Sequence, residues 1–158
     1  MQLTENFSLE ECIHSGAAER LGLDNTPNPQ QLKNIIFTCE QMELVRAALR
    51  AVHPGATCHV DSCFRSGPVN HAVGGATNSA HLLGLAMDAK FFSPEGRIGN
   101  IEAAKIIAGT KIPFQKIILE YGPYGWVHCE FVLPPAVGQR ILETKRSAAS
   151  PYVVGLVE

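Results

Sequence analysis

The apolar positions of this chain change period several times, and each change marks an element. From Pro29 to about His53, apolar residues recur mostly three and four apart (Leu32, Ile35, Ile36, Cys39, Met42, Leu44, Val45, Ala48, Leu49). That spacing predicts a long helix with one face on the core. Asn28 and Pro29 supply its cap and first turn. His53-Pro54-Gly55 ends it, because the residue before a proline avoids helical geometry and a glycine accepts a left-handed one. A short helix is predicted to start near Ser8, where the serine and Glu11 can close a capping box. Another spans 100 to 109, with Asn100 as its cap and a stripe of Ile101, Ala104, Ile107 and Ala108.

Elsewhere the pattern is that of strands and turns. Residues 57 to 64, TCHVDSCF, read as a strand. Gly84 to Phe92 alternates, with Ala86, Asp88 and Lys90 on one face and Leu85, Met87, Ala89 and Phe91 on the other. QKIILEY (115 to 121) and WVHCEFV (126 to 132) flank Gly122-Pro123-Tyr124-Gly125, the pattern of a hairpin with a four-residue loop. The segment RSGPVNHAVGGATNSAH is too rich in Gly, Pro and Asn for one regular element and predicts a loop, with one helical turn around Val69 to Val73. Beyond Pro134-Pro135, VGQRILETKRSAAS reads as a last helix or a loose tail, and PYVVGLVE as an edge strand or a mobile end. The order implies a single α+β domain over 1–158, with a small, mainly antiparallel or mixed sheet and helices largely on one side.

Composition narrows the function classes. An apolar share of 46% and a charged share of 18% are those of an ordinary globular protein. Thirteen Lys and Arg against fifteen Asp and Glu, with no basic run, give no footprint for nucleic acid. No apolar run is long enough to span a membrane, and the start lacks a basic segment followed by an apolar one. The expectation is synthesis in the cytoplasm without a signal peptide. Five cysteines without a CxxC pair argue against a disulfide scaffold or a thiolate metal site, and read as small buried apolar residues in a reducing compartment. Whether Cys58 and Cys63 oxidise, and the oligomeric state, are left open.

Where thiolates are absent, zinc takes imidazole nitrogen and carboxylate oxygen, and a catalytic site uses three such ligands with one position open. His81, Asp88 and His128 meet that need: SAHLLGLAMD places His81 seven residues before Asp88, and His128 arrives from the distant hairpin. His14, His53, His59 and His71 are read as structural. The serine, histidine, glycine, alanine and aspartate at Ser79, His81, Gly84, Ala86 and Asp88, followed by Trp126 and His128, resemble the hallmark of the zinc D-alanyl-D-alanine peptidases (M15-type metallopeptidases), in their small phage and bacterial endolysin-like branch. The similarity extends through FRSGPVNHAVGG back to NFSLEECIHSGAAERLGLDNTP, covering roughly 5 to 132 and leaving 133 to 158 as a C-terminal extension.

The resemblance implies a hedgehog- and D,D-peptidase-like fold with a zinc site on the sheet, and hydrolysis of a peptide bond in bacterial peptidoglycan stem peptides or cross-links. It makes His81, Asp88 and His128 the metal ligands, Arg65 a carbonyl-polarising group, and Ser79, Asn70 and Trp126 substrate contacts. A protein without a signal peptide would then reach the wall through a separate pore or on a phage particle. The general base is where the chain departs from the pattern. Many family members carry an acidic residue three positions before the last histidine, where this chain has Gly125. Glu120 and Glu130 are the nearest carboxylates. A four-residue loop would pair Tyr121 with Trp126 and turn Glu120 away, whereas a bulge or a five-residue loop would restore it; Glu130 shares a face with His128 by alternation. Glu120 is the preferred base. Three choices stay open: carboxypeptidase or endopeptidase, a D,D or an L,D bond, and a lysis enzyme or a tail-associated protein. Two other functions also stay open, an inactive zinc-containing structural or peptide-binding relative and an enzyme on another acyl substrate.

Overall fold

The structure is a computed structural model that describes residues 1–157. Ser8 caps α1 (Leu9–Ile13) with the full capping box to Glu11. Helix α2 (Gly16–Leu21), too short to show a period in the sequence, is capped by Ser15 and ended by Gly22 in the left-handed region. Helix α3 (Pro29–Val52) starts at the Asn28 cap as expected, and buries Ile35, Cys39, Met42, Val45 and Leu49. Leu44 falls on its outer face.

Strand β1 (Thr57–Ser62), helix α4 (Gly67–Ala72), β2 (Ala86–Ser93) and the two-residue β3 (Gly96–Arg97) follow. Then come α5 (Asn100–Ala108), β4 (Phe114–Glu120), β5 (Trp126–Phe131), β6 (Ile141–Lys145) and β7 (Val153–Val154). The sheet runs β1-β2-β5-β4-β6-β7, with β3 on β2. Every pairing is antiparallel except β4 with β6. The sheet is thus mostly, not purely, antiparallel. One face carries Met87, Ala89, Phe91, Ile117, Leu119, Val127, Cys129 and Phe131 into a core shared with α1, α3 and α5. The other face carries the polar alternates and is left for chemistry. No helix among the described residues is long and apolar enough to cross a membrane.

Three sequence expectations need correction. The segment expected as a last helix or loose tail contains β6, held by the β4 ladder, whereas Val153 and Val154 form an edge strand, one of the two readings of PYVVGLVE. Ile141 and Leu142 lie in β6, and three or four apolar positions cannot distinguish a strand from a helix by period. Asn100 is the first residue of α5, not its cap; Gly99 holds that position, and Asn100 is buried with its amide donating to the Gly122 carbonyl at 3.0 Å. The hairpin connection has five residues, not four: Tyr121 adopts φ 60 before a single 3-10 turn over Gly122–Tyr124, so Glu120 pairs with Trp126.

That connection is pinned from three sides. Arg97 donates to the Gly125 carbonyl at 2.5 Å, Asn100 holds Gly122, and the Tyr121 N–H donates to the Lys145 carbonyl at 2.6 Å. Gly125 is packed so closely that a Cβ there would lie 1.7 Å from the Glu120 carbonyl oxygen. Gly125→Ala is therefore expected to cost on the order of 2 kcal/mol and to lower the melting temperature by roughly 4–8 °C. An unchanged melting curve would show that the turn relaxes freely.

Candidate metal centre

His81 sits in a single 3-10 turn, Ala80–Leu83, whose start is fixed by Ser79 Oγ accepting from the His81 N–H at 3.3 Å. Gly84 ends the turn at φ 72, and a Cβ there would meet Ile35 Cγ1 at 2.8 Å. Only glycine lets the turn lie this close to α3. The helix in turn donates three side-chain bonds to the turn's carbonyls, Gln31 to Leu82 at 3.0 Å, Asn34 to Leu83 at 2.8 Å and Thr38 to Gly84 at 2.8 Å. Those polar residues of α3 face the site's scaffold. The imidazole itself is oriented by the Cys63 carbonyl, 2.6 Å from Nδ1, which assigns the proton to Nδ1 and leaves a lone pair on Nε2. Burial lowers the pKa of His81, which favours the neutral ring.

Asp88 on β2 stands directly opposite His128 on β5. Its Oδ1 lies 2.8 Å from His128 Nδ1 and its Oδ2 lies 3.2 Å from His81 Nε2. The two imidazole centroids are 5.1 Å apart, and one ligand atom from each of the three residues falls within 4.8 Å of the others. All three side chains are buried. Despite its proximity to Asp88, His81 Nε2 makes no hydrogen bond among the described residues. A buried lone pair facing a carboxylate oxygen is unfavourable by itself and favourable with a cation between them. The donor set, two imidazoles and a carboxylate, fits a divalent transition metal. His81, Asp88 and His128 are thus able to hold a metal, as their spacing in sequence suggested.

The electrostatics agree. Burial alone would raise the pKa of Asp88, but the neighbouring His81 and His128 drive it far below the usual carboxylate range. Burial would lower His128, yet its hydrogen bond to Asp88 and the nearby Glu130 carboxylate raise it to about 9. In the metal-free protein Asp88 and His128 form an ion pair, so a proton occupies a ligand that a metal must displace.

Around this cluster a cleft of about 980 Å³ opens over the polar face of the sheet. Arg65 lines it, with Nη2 3.9 Å from Asp88 Oδ2 and a buried Nε that has no hydrogen-bond partner among the described residues. Asn25 fixes the Arg65 loop, donating to the Ile13 and Phe64 carbonyls at 2.7 and 3.2 Å and accepting from the Ser66 N–H at 2.7 Å. Glu120 also lines the cleft, buried and without a hydrogen bond or ion pair to its carboxylate among the described residues. Its pKa is raised by burial first and then by Asp88. Trp126 borders the cleft against Tyr121, ring centroids 4.9 Å apart. Glu130 Oε2 lies 3.6 Å from His128 Nε2.

Ser79 lies in the cleft wall, where its hydroxyl holds the His81 backbone. Asn70 lies behind the wall, buried against Gly75 with its amide donating to the Ala76 carbonyl at 2.9 Å. There it braces the 73–80 loop. Asn25, Arg97 and Asn100 position the site from outside it, through distant backbone groups that no local sequence pattern specifies.

Two outcomes follow for the metal. His81→Ala should lose bound metal after dialysis, measured by elemental analysis, while full occupancy in that variant would remove His81 from the site. A pKa raised from 6.5 to about 9 makes His128 stabilising below about pH 6.5, and that contribution is lost as the pH rises through 9. The melting temperature of the metal-free protein should accordingly fall between pH 6.5 and 9, and a flat profile would refute the Asp88–His128 ion pair.

Comparison with known proteins bears directly on this arrangement. No individual curated protein matches the sequence significantly. The sequence profile of the peptidase M15 family, by contrast, matches residues 5–130, which takes in Arg65, His81, Asp88, Glu120 and His128 and stops before β6. A match over most of the chain, together with a buried cluster able to hold a metal, supports a metallopeptidase activity: the chain belongs to the peptidase M15 family.

Proposed function

We propose that the chain is a zinc-dependent peptidase that hydrolyses a peptide bond in the stem peptides or cross-links of bacterial peptidoglycan. The observation that carries the reading is the orphaned His81 Nε2 beside Asp88 and His128, at the floor of a cleft that also holds an unpartnered carboxylate and a guanidinium. The wall substrate is supported by the resemblance of the Ser79–Asp88 and Trp126–His128 motifs to those of D-alanyl-D-alanine peptidases.

His81, Asp88 and His128 would hold the ion, and zinc bound there supplies Lewis acidity at neutral pH. Arg65 presents guanidinium donors toward the cleft, where a substrate carbonyl oxygen gains negative charge as the carbonyl is attacked. Glu120 accepts a proton from the attacking water and returns it to the leaving amine. Burial suits Glu120 to that task, since a carboxylate with a raised pKa is a stronger base. Glu130 is paired to His128 and serves to orient it. Gly125 explains why no acidic residue occupies the position three before His128: the turn has no room for any side chain there, and the same turn delivers Glu120 to the site face.

On this account Glu120→Gln keeps its zinc and loses on the order of a hundredfold or more in turnover of purified wall peptides, while Glu130→Gln is much milder. The reverse ranking would make Glu130 the base. Arg65→Lys should lower turnover far more than zinc content, because lysine keeps the charge and loses the planar donors; equal activity would return Arg65 to an ordinary cleft charge. A zinc-loaded protein that cleaves no wall peptide would favour an inactive, peptide-binding relative.

A further inference from the structure

Strand β6 and the segment that leads from it to β7 lie beyond the family match, yet Lys145 and Tyr152 in them form part of the cleft. Strand β6 runs parallel to β4 with Lys145 opposite Glu120, so both side chains project from the same face of the sheet. Lys145 and Tyr152 line the same cleft as His81, Asp88 and His128. The other lysines on this face are neutralised: Lys90 lies 2.6 Å from Asp61 and Lys116 lies 3.2 Å from Glu143. Arg65 faces Asp88. Lys145, in contrast, has no carboxylate within ion-pair distance among the described residues, and its Nζ rests 4.6 Å from the centre of the Tyr152 ring. A partly buried lysine whose ammonium is held over an aromatic face is restricted in motion, and Glu120, the carboxylate opposite it in the ladder, lies beyond ion-pair distance.

We infer that Lys145 and Tyr152 form a carboxylate-binding subsite at the β6 end of the cleft, which selects peptides carrying a free carboxylate near the bond to be cut. The inference rests on the peptidase reading for its substrate. The ammonium supplies a charge-assisted hydrogen bond to the carboxylate, and Tyr152 limits the directions in which the lysine can reach. The Lys145 backbone has a separate duty, accepting from the Tyr121 N–H in the turn that sets Glu120, so replacing the side chain leaves that bond in place. The carboxylate can come from a peptide's C-terminus or from an acidic residue within it.

The test uses zinc-loaded, full-length protein and three synthetic stem tetrapeptides. One has both its D-glutamyl α-carboxylate and its C-terminal carboxylate free; each of the others has one of the two as an amide. Calorimetry with the unmutated protein and with Lys145→Met is the readout. The unmutated protein should bind the free peptide roughly tenfold or more tightly than one of the amides, and that amide identifies the source of the carboxylate. Lys145→Met should lose this preference at unchanged zinc content and melting temperature. Equal preference in the two proteins, or no binding by the unmutated one, would overturn the subsite. So would an equal loss of turnover on all three peptides with unchanged binding, which would make Lys145 a positioning residue for Glu120. Carboxylate-dependent binding without cleavage would uphold the subsite and count against the peptidase reading alone.

Discussion

The Asp88 carboxylate faces His81 with one oxygen and His128 with the other, in a pocket where all three side chains are buried. Withdrawing a carboxylate from water costs several kcal/mol unless positive charge and hydrogen bonds replace what water supplied. A proton on His128 answers part of that need, and a metal between the three residues would answer it more fully. The surrounding structure holds these groups together at close range. The β2–β5 ladder sets Asp88 opposite His128, the Cys63 carbonyl turns the His81 ring, and α3 grips the turn that carries it through Gln31, Asn34 and Thr38.

The same principle governs the groups around the cluster. Arg65 is fixed by the hydrogen bonds of Asn25, and Glu120 by a turn that Arg97, Asn100 and the Lys145 backbone restrain. In each case a residue remote in sequence satisfies loop carbonyls or N–H groups that would otherwise need water. The C-terminal strands belong to this scaffold. They extend the sheet on the side of β4, bring a cation into the cleft, and brace the one connection on which the placement of Glu120 depends.

Much of this was legible from local pattern. The long helix from Pro29, the strand bearing Asp88 and the hairpin bearing His128 follow from spacing, caps and alternation, because burial of one face imposes a period. The metal cluster was legible from the residue types of His81, Asp88 and His128 and from the resemblance of the Ser79–Asp88 and Trp126–His128 segments to a family motif. What escaped depends on long-range partners. The left-handed Tyr121 adds one residue to the hairpin connection and reverses the face Glu120 presents, and nothing in GPYG itself specifies that. Strand β6 owes its conformation to β4, Asn70 is drawn inward by the Ala76 carbonyl, and Asn100 is drawn inward by Gly122. Side chains that bond distant backbone have no sequence period.

We propose that one zinc ion is held jointly by His81, Asp88 and His128. Crystals of the zinc-loaded protein, measured on both sides of the zinc absorption edge, test it most directly. The account predicts one strong anomalous peak per chain within bonding distance of an imidazole nitrogen of His81, a carboxylate oxygen of Asp88 and an imidazole nitrogen of His128. A peak elsewhere, or none at this cluster at full zinc loading, would contradict it.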